Sequence, residues 1–169
     1  MEIVVEEARD EDMEQVFELE EKCFKYPYPP QLLAMLRALY PELFLVAKHG
    51  NRVVGYVSAV VRSDGYGHIV SICVDPEYRR QGIGKKLMES VEARMRSKFG
   101  LCRYRLEVRV SNEPAIRLYK SLGYRIVGVL RSYYPDGEDG YVMVKDVCQQ
   151  GERSSCAQIS SSSSSSEAG

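Results

Sequence analysis

Apolar residues recur along this chain with two periods, and the switches between those periods lay out its elements. Ile3-Val4-Val5 between glutamates reads as a short first strand. Asp10 is placed to cap a helix whose apolar positions, Met13, Val16, Phe17 and Leu19, share one broad face. Tyr26-Pro27-Tyr28-Pro29-Pro30 breaks that helix, and Leu32, Leu33, Met35 and Leu36 mark a second, shorter one. Leu43 to Lys48 and Val53 to Val61 read as a hairpin turned at His49-Gly50-Asn51. After Asp64-Gly65-Tyr66-Gly67, a further strand runs from Ile69 to Val74.

The second half continues the alternation. Ile83, Leu87, Val91 and Met95 stand at i, i+4 spacing with Met88 beside them, the core stripe of a helix. Leu106, Val108 and Val110 alternate with Arg105, Glu107 and Arg109, as in a half-buried strand. Ser111-Asn112-Glu113-Pro114 starts a helix that runs through Ile116, Leu118 and Tyr119 and stops at Gly123. Tyr124 to Val129 and Tyr141 to Val147 are the closing strands. The order β-α-α-β-β-β-α-β-α-β-β predicts a mixed α/β sandwich without internal repeats.

The loop between Val74 and the helix at Ile83 carries the first chemistry. Arg79-Arg80-Gln81-Gly82-Ile83-Gly84-Lys85 follows a strand and opens a helix. Glycines let the backbone approach a ligand, and first-turn N–H groups without internal acceptors favour an anion. A pyrophosphate-bearing ligand is therefore expected. Lys85 is followed by Lys86 rather than Ser or Thr, which excludes a P-loop. Leu87 stands where a dinucleotide fingerprint needs its third glycine.

Composition narrows the picture further. The 169 residues, 44% hydrophobic, suffice for one well-buried core and one domain. Lys+Arg 23 against Asp+Glu 24 leaves a formal net charge of -1, so no basic field points to nucleic acid. The five cysteines, Cys23, Cys73, Cys102, Cys148 and Cys156, show no CxxC pair, and the two histidines do not join them at zinc-ligand spacing. They are expected as free thiols of a reducing compartment. The acidic N-terminus lacks the pattern of a secretion signal, and no apolar run reaches membrane-spanning length, so a cytoplasmic protein without membrane partners is expected. Residues 1–147 form the expected domain; residues 148–169, with a serine run from Ser160 to Ser166, are expected to be a disordered tail.

Several segments in their order resemble the GNAT-fold N-acetyltransferases. They are His68 to Val74, Arg79 to Gly84, Leu106 to Asn112, Ala115 to Tyr119 and Leu122-Gly123-Tyr124. Tyr133-Tyr134-Pro135-Asp136-Gly137-Glu138-Asp139 is similar to the substrate hairpin of protein N-terminal acetyltransferases, which include bacterial RimI and the catalytic subunits of archaeal and eukaryotic enzymes. The resemblance spans almost all of residues 2–147. It implies an α/β GNAT fold, a mostly antiparallel mixed sheet splayed between its fourth and fifth strands, with helices on both faces. It implies acetyl-CoA as co-substrate and protein N-termini as acceptors. Some such enzymes work alone and others with a helical-repeat auxiliary subunit at the ribosome.

The resemblance also assigns roles. Ile72, Cys73 and Val74 would hold the pantetheine arm, a backbone N–H there would bind the thioester oxygen, and Arg80, Gln81, Gly82, Ile83, Gly84 and Lys85 would cradle the pyrophosphate. Asn112 would bond the amide arm; a plain helix cap is the competing reading. A protein α-amine titrates near 8 and lysine near 10.4, so an N-terminal acceptor needs only a modest base. Glu107 is the candidate base and Tyr119, whose phenol titrates near 10, the candidate acid for the leaving thiolate and a cofactor contact. His68 begins the strand beside that of Glu107, where the resembling archaeal enzymes place a His. Near the substrate it would join Glu107 in relaying the proton or in holding a divalent ion; a satisfied strand-end histidine is the competing reading, and no required metal is expected. Tyr26, Tyr133 and Tyr134 would line the peptide entrance. Some of the archaeal enzymes it resembles carry a catalytic glutamate just before the Tyr-Pro; here Phe24-Lys25 stands there. Rival readings are a lysine or small-amine acetyltransferase and a CoA-binding or ribosome-associated module without turnover.

Overall fold

The computed structural model describes residues 2–149. Its elements are β1 (Val4–Glu7), α1 (Met13–Cys23), α2 (Pro30–Leu39), β2 (Phe44–His49), β3 (Arg52–Val61), β4 (Gly67–Val74), α3 (Ile83–Phe99), β5 (Arg103–Arg109), α4 (Glu113–Ser121), β6 (Arg125–Leu130) and β7 (Gly140–Asp146). Short 3-10 turns precede α1, β2 and the glycine loop. This is the order that the apolar pattern predicts. The helix start differs in detail. Asp10 begins a 3-10 turn without a side-chain cap bond, and it is Asp12 that reaches back to accept the Arg9 N–H at 2.8 Å.

The strands form one sheet in the order β1-β2-β3-β4-β5-β7-β6. Every neighbouring pair is antiparallel except β4 and β5, which run parallel and are in register only at Gly67–Tyr104 and His68–Arg105. Beyond His68 the two strands part. Two apolar clusters cover the two faces. One gathers Ile83, Leu87, Met88, Val91 and Met95 of α3 with Ile69, Leu106, Val108, Ile116 and Tyr119; the other gathers Met13, Val16, Leu19, Leu33 and Leu36 of α1 and α2 with Phe44, Tyr56 and Cys73. The α3 stripe is thus wholly interior, each side chain contributing roughly 1.5–3 kcal/mol. Gly100, in the left-handed region, ends α3 by returning its N–H to Arg96 O.

Two expectations need correction. The thiols are not free. Cys23 is disulfide-bonded to Cys73 and Cys102 to Cys148, with Cα–Cα separations of 6.1 and 4.9 Å. The end of α1 lies on β4 and the chain after β7 lies beside the start of β5, so residues far apart in sequence meet at bridging distance. The second bond also carries Cys148, placed in the tail by composition, into the folded domain. Cys156 and the serine run lie outside the described residues. Among the described residues, no helix is long and apolar enough to cross a membrane.

Candidate active site

The parting of β4 from β5 exposes backbone. Asp75 N–H donates to Val54 O of β3 at 2.8 Å. Successive backbone donors alternate between the two edges of a strand. The N–H groups of Val74 and Ile72 therefore turn the other way, into the splay. Val74 O is on that edge too, where Arg79 Nε donates to it at 3.1 Å. Cys73 is placed otherwise. Its side chain is in the disulfide and its N–H turns toward β3, so Ile72 and Val74 are the residues whose donors enter the splay.

Beside the splay stands the N-terminus of α3. Arg80 and Gly82 have φ of 64° and 79°, so the loop doubles back in left-handed steps before the helix begins. Gly82 makes no side-chain cap, which leaves the first-turn N–H groups facing outward. A Cβ on Gly84 would stand 3.2 Å from Leu118 Cδ2 and 3.9 Å from Val74 Cγ2. That glycine brings α3, α4 and the end of β4 together. Arg80, Gln81 and Lys85 are exposed around this turn, with Lys85 Nζ 3.8 Å from Glu89, whereas the Ile83 side chain is in the core and offers only its backbone. This cradle of backbone donors and Cβ-free positions fits a pyrophosphate-bearing co-substrate.

Asn112 caps α4, its Oδ1 accepting from Ala115 N at 3.3 Å. The cap reading thus holds, and the exposed amide nitrogen remains for a ligand. Tyr119 follows Leu118 on α4 and packs edge-on against Tyr124 at 6.1 Å between ring centroids. Burial pushes its phenol well above the ordinary value, so it stays protonated and remains a donor.

On the other face of the sheet the site is made of side chains. His68 Nε2 donates to Glu107 Oε2 at 2.6 Å, and Arg105 Nε donates to Glu107 Oε1 at 3.1 Å. The short parallel pairing of β4 with β5 is what puts His68 beside Arg105, in reach of Glu107. Burial pushes the Glu107 carboxyl up, but the His68 and Arg105 contacts outweigh it and hold the group below the usual carboxylate range. Above them, Tyr133 and Tyr134 meet edge-on at 5.0 Å, and Tyr26 and Tyr28 are exposed on the loop between α1 and α2. The phenols of Tyr28 and Tyr133 are raised by burial first, and both also feel the Glu107 charge. The structure therefore gathers Glu107, His68, Tyr28 and Tyr133 on one side of the splay.

Sequence reasoning missed three contributors. Tyr28 lies in the Tyr-Pro segment between α1 and α2, where sequence alone gives it no role. Arg109 appeared only as a member of an alternating strand, yet it bonds both Asp136 and Glu138 of the hairpin. Glu20 on α1 is buried with 1% exposure and accepts from Tyr56 Oη at 2.9 Å, with Ser71 Oγ at 2.8 Å from that same phenol. Burial raises its carboxyl to about 7. Its signal was legible, since positions 13, 16 and 20 share a helical face.

Comparisons with known proteins agree with this geometry. A family model described as the acetyltransferase (GNAT) family matches residues 13–124. An N-alpha-acetyltransferase of Sulfurisphaera tokodaii is 37% identical over 151 residues, covering 82% of this chain and 90% of that protein. The N-terminal acetyltransferase B complex catalytic subunit of Arabidopsis thaliana is 41% identical over 123 residues, covering 70% of each. The crystal structure of Ard1 from Thermoplasma volcanium superposes with a TM-score of 0.83 at 30% identity, covering 88% of this chain and 100% of that one. The splayed mixed sheet, the glycine-opened helix and these likenesses together make the chain a member of the GNAT acetyltransferase family.

Proposed function

We propose that this protein transfers the acetyl group of acetyl-CoA to the free α-amine of protein N-termini, with Ser, Ala, Thr and Met starts as the acceptors. The observation that carries this reading is the Glu107–His68 pair on the face opposite α3, with Tyr28 and Tyr133 near enough to feel the Glu107 charge. A carboxylate held below its usual range is a weak base. It matches an α-amine, partly neutral at pH 7, far better than a lysine ammonium.

Acetyl-CoA supplies an activated acyl carbon and a thiolate leaving group. Ile72 and Val74 are oriented to hydrogen-bond the pantetheine arm and the thioester oxygen, and the α3 N-terminus with Arg80 is oriented to hold the pyrophosphate. Glu107 takes the proton that the amine sheds as the N–C bond forms, and His68 on the same carboxylate orients it. Tyr119, kept protonated by burial, donates a hydrogen bond to the sulfur as the C–S bond breaks and CoA leaves as the thiolate. Tyr26, Tyr28, Tyr133 and Tyr134 admit a chain end and exclude a side chain borne on a continuous backbone.

Relatives in this family include a named catalytic subunit of a complex, and we propose an auxiliary subunit or the ribosome as the partner that presents nascent chains. Acetyl-CoA dependence favours a cytoplasmic setting, and the two disulfides fit a cytoplasm of the kind hyperthermophiles maintain. The test is CoA release with short peptides bearing free or blocked N-termini, products being located by mass spectrometry. Acetylation confined to free N-termini is expected. Transfer to internal lysines of the blocked peptides overturns the reading.

A further inference from the structure

The peptide side of the site is bordered by a hairpin whose tip lies beyond the strand pairing. Residues 131–139 connect β6 to β7 and carry Tyr133 and Tyr134. Within the hairpin, Tyr134 N–H donates to Glu138 O at 3.1 Å and Ser132 N–H to Asp139 Oδ1 at 2.8 Å. These bonds fold the loop. Its C-terminal end continues the β5–β7 pairing, Val110 N–H donating to Asp139 O at 3.2 Å, while the tip that carries Tyr134 and Asp136 is fastened chiefly by one side chain.

Arg109 is the last residue of β5, two positions beyond Glu107 and so on the same face. Its Nη1 donates to Asp136 at 2.9 Å and to Glu138 at 2.7 Å. Its guanidinium lies 4.2 Å from the centroid of the Tyr134 ring and 6.0 Å from that of Tyr26. One planar cation thus touches the hairpin through two carboxylates and an aromatic face, and the α1–α2 loop through another. Glu138 is fixed a second time, its Oε2 accepting from Ser111 N at 3.0 Å. Asp136 is shared as well, with Lys25 Nζ 3.8 Å away and that ammonium 5.6 Å from the Tyr26 ring.

The two links to Asp136 differ in kind. Lys25 has 70% side-chain exposure, and a single point charge in solvent holds weakly. Arg109 has 24% exposure, and its Nη1 donates to both carboxylates while the planar guanidinium lies over the Tyr134 ring. The Lys25 link is therefore the weaker of the two, and Arg109 is the main tie of the hairpin tip to β5.

From this convergence we infer that Arg109 is a positioning residue for the peptide substrate, setting the width of the entrance by seating the tyrosine hairpin and the α1–α2 loop against β5. The inference rests on the peptide-acceptor reading above. It distinguishes Arg109 from an ordinary surface ion pair, which would affect stability and leave substrate selection alone.

The test compares Arg109→Met and Arg109→Lys with the wild type in two-substrate kinetics and in amide hydrogen exchange. Arg109→Met is expected to raise the peptide KM by on the order of tenfold or more while the acetyl-CoA KM stays within about twofold, because the splay and the α3 N-terminus are untouched. Arg109→Lys, which keeps the charge and loses the planar cation over the Tyr134 ring, is expected to recover only part of the loss. Lys25→Ala is expected to change the peptide KM by less than about threefold. In exchange, Arg109→Met should speed amides of residues 132–139 and 24–28 and leave those of α3 unchanged. An unchanged peptide KM, or parallel rises in both KM values with a general gain in exchange, overturns the inference. If the wild type acetylates no peptide, the acceptor reading fails, and the exchange comparison still decides whether Arg109 seats the hairpin.

Discussion

The two sides of the splay are built from different materials. Toward α3, the surface we propose for acetyl-CoA is backbone: the inward N–H groups of Ile72 and Val74, left-handed turns at Arg80 and Gly82, and a missing Cβ at Gly84. Toward the α1–α2 loop, it is side chains: Glu107 between His68 and Arg105, and Arg109 between two carboxylates and two tyrosines. An invariant ligand such as a nucleotide thioester is met well by backbone geometry, which side-chain substitution leaves alone. A variable acceptor is met by groups that substitution can retune. The Cys23–Cys73 bond and the Glu20–Tyr56–Ser71 cluster both join α1 to β4, the strand that borders the splay.

Substitutions should separate these sides. Glu107→Gln is expected to lower kcat by roughly 10²- to 10⁴-fold with little change in acetyl-CoA KM, read from two-substrate kinetics. A matching loss of acetyl-CoA affinity would erase the division. Replacing Cys23 and Cys73 together by Ala removes a link of sequence separation 50. It should cost roughly 4 kcal/mol and lower the Tm by about 10 °C in a thermal melt. A melt that stays in place would show that the bond constrains little.

Glu20 gives a pH signature. Its folded carboxyl is raised to about 7 from 4.5, so the folded state binds that proton more tightly than the unfolded state. Its contribution is therefore fully present below pH 4.5, falls as pH rises to 7 and is flat above. Glu20→Gln should remove a decline of about 3 kcal/mol across that window, measured as the difference between denaturant titrations of variant and wild type. Parallel curves would place the ionisation elsewhere. Arg80→Ala, the smallest effect, should raise the acetyl-CoA KM about tenfold and leave kcat unchanged.

How much of this was legible follows from the same contrast. The element order and the α3 stripe could be read because their periodicity is local, with Ile83, Leu87, Val91 and Met95 buried as spaced. The glycine loop could be read because backbone requirements restrict residue type. The His68–Glu107 contact could be placed only by family resemblance, since a short parallel pairing between distant strands creates it. Arg105 and Arg109 looked like a solvated strand face, because a charged alternation carries no mark of what will fold over it. The disulfides were invisible for the same reason: Cys23 meets Cys73, and Cys102 meets Cys148, only once α1 and the end of β7 have packed. Glu20 could have been found, as a carboxylate on an otherwise apolar helical face.

The most direct test is the pH dependence of kcat/KM for one free-N-terminus peptide, in the wild type and in Glu107→Gln. Glu107 is held ionised far below neutral pH, so the acid limb should belong to the acceptor amine. The account predicts an inflection near pH 8, at the same place in both proteins, with the variant's curve lower throughout. An inflection that lies near the carboxylate range, or that moves when Glu107 is replaced, would contradict it.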